Sequence, residues 1–318
     1  MASSPELALA RGQAPGKIIL FGEHAVVYGR PAIAVPVQQV HAYAEIWPDR
    51  QCVVEAADLQ RQVVVRTAAA NDPLAQVVRL VCAALKKPLP RWRIHVWSQI
   101  PMAAGLGSGA AIATAMARAL LAAFDQQWEE PRLSALVYQV EKLHHGTPSG
   151  IDNTVVVYER PVWFVRGQIP QPFATKRALH LLIADTGIPS ATKAVVADVN
   201  KAWQQDKARY EALFDAASVV AHRARAAILA GHSQQLGPLM TENQRILAAM
   251  GVSSPEIARL VRAAHDAGAW GAKLSGGGRG GNIIALAPAS KQSAIAHALT
   301  AAGAVNVIQT TLSPATVV

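Results

Sequence analysis

The chain has 318 residues, enough for two domains or one large one, and at 51% hydrophobic and 16% charged its composition favours a packed globular protein over disorder. Its formal net charge of +9 comes from scattered Lys and Arg, and the densest basic stretch, Lys86-Lys87 with Arg91 and Arg93, is too thin for a nucleic-acid surface. The only cysteines, Cys52 and Cys82, make neither a disulfide framework nor a metal-ligand spacing, so a reducing cytoplasm is the expected compartment.

Residues 1–10 lack the basic and then apolar run of a signal peptide. The most apolar stretch, 110–124, is broken by Arg118 and too short to span a bilayer. A soluble protein is expected, with no membrane or nucleic-acid partner.

Short strands are predicted at 17–21 and 32–35, and an alternating, half-buried strand at 40–47. Another alternating run, 93–100, ends at Pro101 and leads through a glycine loop into an Ala-rich helix over 108–124. A second helix runs over 131–145, with Leu133, Leu136, Val137, Val140 and His144 at helical spacing and Gly146 as its stop. Strands around the breaker Pro161 are expected over 153–165, and another over 179–184. From 190 to 265 the pattern is mainly helical, punctuated by Gly231, Gly251 and Pro255. Two strands joined by a glycine loop (269–274 and 282–286), a helix (290–302) and a strand (305–311) close the chain. The reading is α+β, with two domains, 1–179 and 180–318.

Four segments carry candidate chemistry. In the first, 14–29, Lys17 opens an apolar strand; it either snorkels at the strand end or is held for an anion. Glu23 and His24 follow in a turn bounded by Gly22 and Gly29. The second, 101–111, contains Gly105-Leu106-Gly107-Ser108-Gly109 at the mouth of a helix. Free N–H groups, a positive dipole end and glycines that admit close approach make a phosphate site there. Ser108 is placed to cap the helix or ligate Mg²⁺. No Gly-Lys-Ser/Thr follows, and the third position of a G-x-G-x-x-G fingerprint is Ala110, so neither common nucleotide motif is matched.

In the third segment, 141–152, Glu141 borders the buried face of its helix, and Asp152 follows a Pro-Ser-Gly turn. Each is either an ordinary flanking or turn acid or a working carboxylate. Adjacent His144 and His145 point to different faces and are read as packing or surface residues. The fourth, 273–281, holds a glycine run richer than a hairpin needs, so it reads either as a flexible turn or as a second backbone wall against phosphate.

In this order the four segments resemble the GHMP kinase superfamily, and in detail its mevalonate kinase family. The Asp185-Thr186-Gly187 to Thr192-Lys193 stretch and Glu242-Asn243-Gln244 strengthen the resemblance, which covers nearly the whole chain. It implies a two-domain GHMP kinase fold: an N-terminal mixed α/β domain, a helix-rich ferredoxin-like C-terminal domain, and the active site in the cleft between them. The implied activity is ATP-dependent phosphorylation of the C5 hydroxyl of mevalonate, with ATP and Mg²⁺, mevalonate as small-molecule partner, and a homodimer as one assembly. Other superfamily kinases (phosphomevalonate, mevalonate 3-, homoserine, galactose) and a non-catalytic sensor are the alternatives.

By this resemblance Asp152 is the catalytic aspartate and Lys17 its partner. Ser108 and Glu141 correspond to metal ligands. Pro101, Gly105, Leu106, Gly107, Ser108, Gly109 and Ala110 form the triphosphate cradle, joined by Ser275, Gly276 and Gly277. Lys17, Glu23, His24, Asp152, Thr186, Lys193 and Gly277 correspond to positions around the substrate. His24, Lys193 and Arg279 are alternative cations for the substrate carboxylate. Two departures stand out: Gly109, where the family usually has a second Ser, and Arg279 within the glycine run.

Overall fold

In chain order a computed structural model gives strands β1 (Ala10–Phe21), β2 (Ala32–Pro48), β3 (Val53–Ala56) and β4 (Arg61–Val64), helix α1 (Pro73–Leu85) and β5 (Trp92–Ser98). Helices α2 (Ser108–Ala123), α3 (Glu130–His145) and α4 (Ile151–Tyr158) follow, then β6 (Val162–Phe164), β7 (Gln171–Pro172) and β8 (Leu179–Asp185). The remainder is α5 (Thr192–Gln205), α6 (Lys207–Ala230), α7 (Leu236–Ala249), α8 (Pro255–Asp266), β9 (Gly271–Ser275), β10 (Asn282–Ala287), α9 (Gln292–Ala301) and β11 (Asn306–Leu312). The structure describes residues 8–101, 105–145 and 148–314. Met102, Ala103 and Ala104 of the glycine segment, and the predicted helix stop Gly146, lie outside these residues, as do the side chains of His144 and His145.

The chain divides into two units: one holds Met1–Gly16, Val40–Pro101 and Gly107–Glu159, the other Lys17–Gln39, Met102–Leu106 and Arg160–Val318. In the first unit β2 pairs antiparallel with β5, and β3 lies parallel to β5 and antiparallel to β4. Alternation decides which face is buried: Ala42, Ala44 and Ile46 of β2 and Ile94 and Val96 of β5 point inward. Helices α1 to α4 pack on one another, with α2 central and also against β5. Its Ala-rich sequence is the reason: ten of its residues are buried, and small side chains admit several neighbours at once. Helix α1 is absent from the sequence reading. Its signals are Asp72, which accepts from the Ala75 N–H at 2.9 Å, Pro73 at the first turn, and an apolar face through Leu74, Val77, Val78 and Val81.

Strands were expected over 153–165, but Ile151–Tyr158 is helical and only Val162–Phe164 is extended. The Thr-Val-Val-Val run favours a strand by propensity, yet packing overrides it. Gly150, at φ 92°, turns the chain into the helix, and the Thr154 hydroxyl donates to its carbonyl at 2.7 Å. Asn153 Nδ2 donates to the Ser134 hydroxyl at 2.8 Å, which docks α4 on α3. Asp152 therefore stands in the first turn of a helix rather than ahead of a strand.

In the second unit four antiparallel strands are ordered β11-β8-β10-β9. With α5 to α8 between β8 and β9, and α9 between β10 and β11, this is the ferredoxin-like β-α-β-β-α-β arrangement. Here the predicted strand pair around the glycine run is present as β9 and β10. Gly231 and Gly251 end α6 and α7, and Pro255 opens α8. Among the described residues no helix is long and apolar enough to cross a membrane.

Candidate active site

The glycine loop is tied to β1 by the Lys17 N–H, which donates to the Leu106 carbonyl at 2.9 Å. Gly107, at φ 75°, is the N-cap residue of α2, a conformation that strongly favours glycine. Of the two roles open to Ser108, helix cap or metal ligand, the first is not taken: Ser108 is the first helical residue, and no side chain caps this end. The first backbone bond back to the cap runs from Ala111 N to Gly107 O at 3.0 Å. The N–H groups of Ser108, Gly109 and Ala110 therefore have no intrahelical acceptor, which is the requirement for an anion site at a helix start. Pro101, at the loop's other end, is half-buried.

Three acidic or hydroxyl groups, Ser108 among them, stand on neighbouring helices of this unit. Ser108 begins α2, Glu141 lies buried on α3, and Asp152 stands half-buried in the first turn of α4; the three helices pack pairwise.

The second unit assembles the other candidates. Lys17 is buried, so its ammonium does not snorkel to solvent. Glu23 and Lys273 form an ion pair in which both side chains are completely inaccessible. Burial pushes the Glu23 carboxyl up and the Lys273 ammonium down, each opposed by the other's charge and by their hydrogen bond. Glu23 Oε2 has no hydrogen-bond partner among the described residues. Ser275 acts as a rung between strands: its hydroxyl accepts from Ile19 N at 3.2 Å and donates to Ile19 O at 2.9 Å. His24 Nε2–H donates to the Gly277 carbonyl at 2.9 Å, which fixes the tautomer. Burial lowers the His24 pKa to about 4, so the imidazole is neutral near pH 7.

The glycine run after β9 is held from its far side. Thr186 donates its N–H and hydroxyl to the Gly281 carbonyl at 2.9 and 2.8 Å, and Gly281 N–H donates to Ile188 O at 2.7 Å. Ser190 donates to Gly278 O at 3.3 Å. The Arg279 guanidinium is bonded to Asp198 and to Gly251 O. Lys193 is exposed in the first turn of α5.

Sequence reasoning missed Lys273 as a functional group and used it only as a motif edge. The signal was a lysine inside an apolar strand, a position that requires a buried counter-charge. Gln244 was also given no role; its Oε1 accepts from Leu274 N at 2.8 Å and steadies the same strand.

The family profile of the GHMP kinases N terminal domain matches residues 73–160, and that of the GHMP kinases C terminal matches 224–305. The chain belongs to the GHMP kinase family, whose members are ATP-dependent kinases. It is 33% identical to the mevalonate kinase of Thermococcus sibiricus, covering 93% of this chain and 94% of that one. It is 34% identical to the mevalonate kinase of Pyrococcus horikoshii, covering 93% of each. The crystal structure of L. major mevalonate kinase in complex with R-mevalonate superposes with a TM-score of 0.81 at 30% identity, over 99% of each chain.

Two predictions follow from the buried groups. Lys273→Met leaves an unpaired buried carboxylate and should cost about 3–5 kcal/mol in denaturant unfolding, with much of the loss restored by adding Glu23→Gln; an unchanged midpoint for the single variant contradicts the pairing. Because the folded pKa of His24 is depressed from 6.5 to about 4, its contribution is present above pH 6.5 and lost as pH falls toward 4. That contribution is worth ~3 kcal/mol, and the pH dependence of unfolding should flatten by that amount in His24→Asn, which tolerates the φ of 59°.

Proposed function

We infer that the chain transfers the γ-phosphoryl group of ATP to the C5 hydroxyl of mevalonate, giving 5-phosphomevalonate for isoprenoid synthesis. Support comes from the near-complete coverage by mevalonate kinases at 33–34% identity, one of the similar solved structures holding R-mevalonate. The observation that carries the chemistry is Asp152 in the first turn of α4, on helices packed with the one that opens from the glycine loop.

Phosphoryl transfer passes through a loose transition state, so the protein mainly positions groups and neutralises charge. The N–H groups of 108–110, which have no intrahelical acceptor, cradle the phosphates. Asp152 accepts the C5 hydroxyl proton. A carboxylate is a weak base for an alcohol, so proton transfer comes late, after bonding to phosphorus has begun. Lys17 supplies positive charge to the transferring group.

Among the described residues no three His, Cys, Asp or Glu side chains converge on a metal position. A single buried carboxylate, Glu141, with the Ser108 hydroxyl suits Mg²⁺, which takes few protein ligands and the rest from phosphate and water. Bound there, Mg²⁺ neutralises triphosphate charge. Around the substrate, the Thr186 loop backs the glycine run. With His24 neutral and Arg279 paired to Asp198, Lys193 is the cation assigned to the substrate carboxylate.

In an ADP-release assay with mevalonate, Asp152→Asn should lower kcat by about 10²-fold or more with ATP binding nearly unchanged, and Lys193→Met should raise the mevalonate KM about 10-fold or more with little change for ATP. Turnover by Asp152→Asn near the parent's removes the base assignment, and an unchanged mevalonate KM removes Lys193.

A further inference from the structure

Arg118 lies on α2, on the order of 15 Å along the helix from Ser108. Its side chain is about one quarter exposed, and its guanidinium makes three contacts on two other elements. It donates to the Gln13 carbonyl of β1 at 2.8 Å, to the Val157 carbonyl of α4 at 3.0 Å, and to the Glu159 carboxylate. The family resemblance assigns it no role, and in the sequence it reads only as an interruption of an apolar run.

The contacts fall where position matters. Helix α4 has eight residues, and Asp152 is about 7.5 Å along its axis from Val157. Fixing one end of so short a rod fixes the other. The last carbonyls of a helix need donors, and a cation there is favoured by the dipole; Arg118 meets both needs. Glu159 caps α4 at φ 51°, a conformation in which glycine is the usual residue. A glutamate there gives Arg118 its carboxylate partner. On the other side, β1 lies directly on α2: a Cβ at Gly12 would stand 2.2 Å from the Ala115 carbonyl oxygen. Gln13 is the next residue, and β1 continues to Lys17.

We propose that Arg118 is a positioning residue for phosphoryl transfer, locking the C-terminal end of α4 and the strand leading to Lys17 onto the helix that carries the phosphate loop. The proposal rests on Asp152 being the base. Arg118 is not among the positions assigned to nucleotide or substrate; its substitution shifts the Asp152 carboxylate without removing a group that binds either one.

The test compares Arg118→Gln, Arg118→Lys and Glu159→Gln with the parent, measuring kcat, KM for ATP and mevalonate, and thermal unfolding. Misplacement of a reacting group by about 1 Å costs on the order of 10²-fold. Arg118→Gln should therefore lose about 10- to 100-fold in kcat with both KM values within about threefold, Arg118→Lys should recover part of the loss, and Glu159→Gln should lose less than Arg118→Gln. Parental kcat in folded Arg118→Gln, even with a lowered Tm, overturns the proposal, as does a rise in KM at constant kcat. If Arg118→Gln does not fold, Glu159→Gln is read by the same criteria. Asp152→Asn in the same assay separates the two readings. Normal turnover there removes the base and the proposal with it, whereas an inactive Asp152→Asn beside fully active Arg118 variants removes the positioning role alone.

Discussion

Glu23 and Lys273 face each other with no access to solvent, and the order of the second unit's candidate site depends on that pair. Burying two charges costs several kcal/mol per ion, which only close pairing offsets. Removing either partner leaves the other charge buried without its ion pair, which favours adjacency of the turn after β1 and the strand β9. Once they are, Ser275 bonds both backbone groups of Ile19, and His24 reaches Gly277. The glycine run leaves β9 with its direction set, and the Thr186–Ser190 segment holds it from the other side. A hydrophobic pair of equal volume would supply stability but no requirement for this register.

The first unit uses a different device twice. Gly107 and Gly150, both in the left-handed region, each turn the chain abruptly into a helix. One helix start presents free N–H groups, the other a carboxylate in its first turn. The end-of-helix field at the first favours an incoming anion. Neither end uses a side-chain cap, and a cap would occupy the N–H groups that a phosphate requires.

What the sequence made legible follows the reach of each signal. Glycine punctuation and helical spacing are local, so α2, α3, β9 and β10 were readable to within a few residues. The 153–165 segment was misread because Thr-Val-Val-Val carries strand propensity while the deciding contacts, Asn153 to Ser134 and the packing on α2 and α3, are tertiary. Motif order identified Lys17, Ser108, Glu141 and Asp152 as candidates, but not their surroundings. The neutrality of His24 comes from burial, and the diversion of Arg279 from Asp198, 81 positions away; neither is visible in local spacing. Lys273 was detectable in principle as a charge in an apolar strand, but its partner lies 250 residues away.

The central claim is transfer of phosphate from ATP to one particular hydroxyl of mevalonate. Proton-coupled ³¹P spectra of the product formed from ATP and mevalonate test it directly. Phosphorylation at the primary C5 oxygen gives a phosphomonoester signal split into a triplet by the two C5 protons. A singlet, from phosphate on the tertiary C3 oxygen, or the absence of any new ester while ATP is intact, would contradict it.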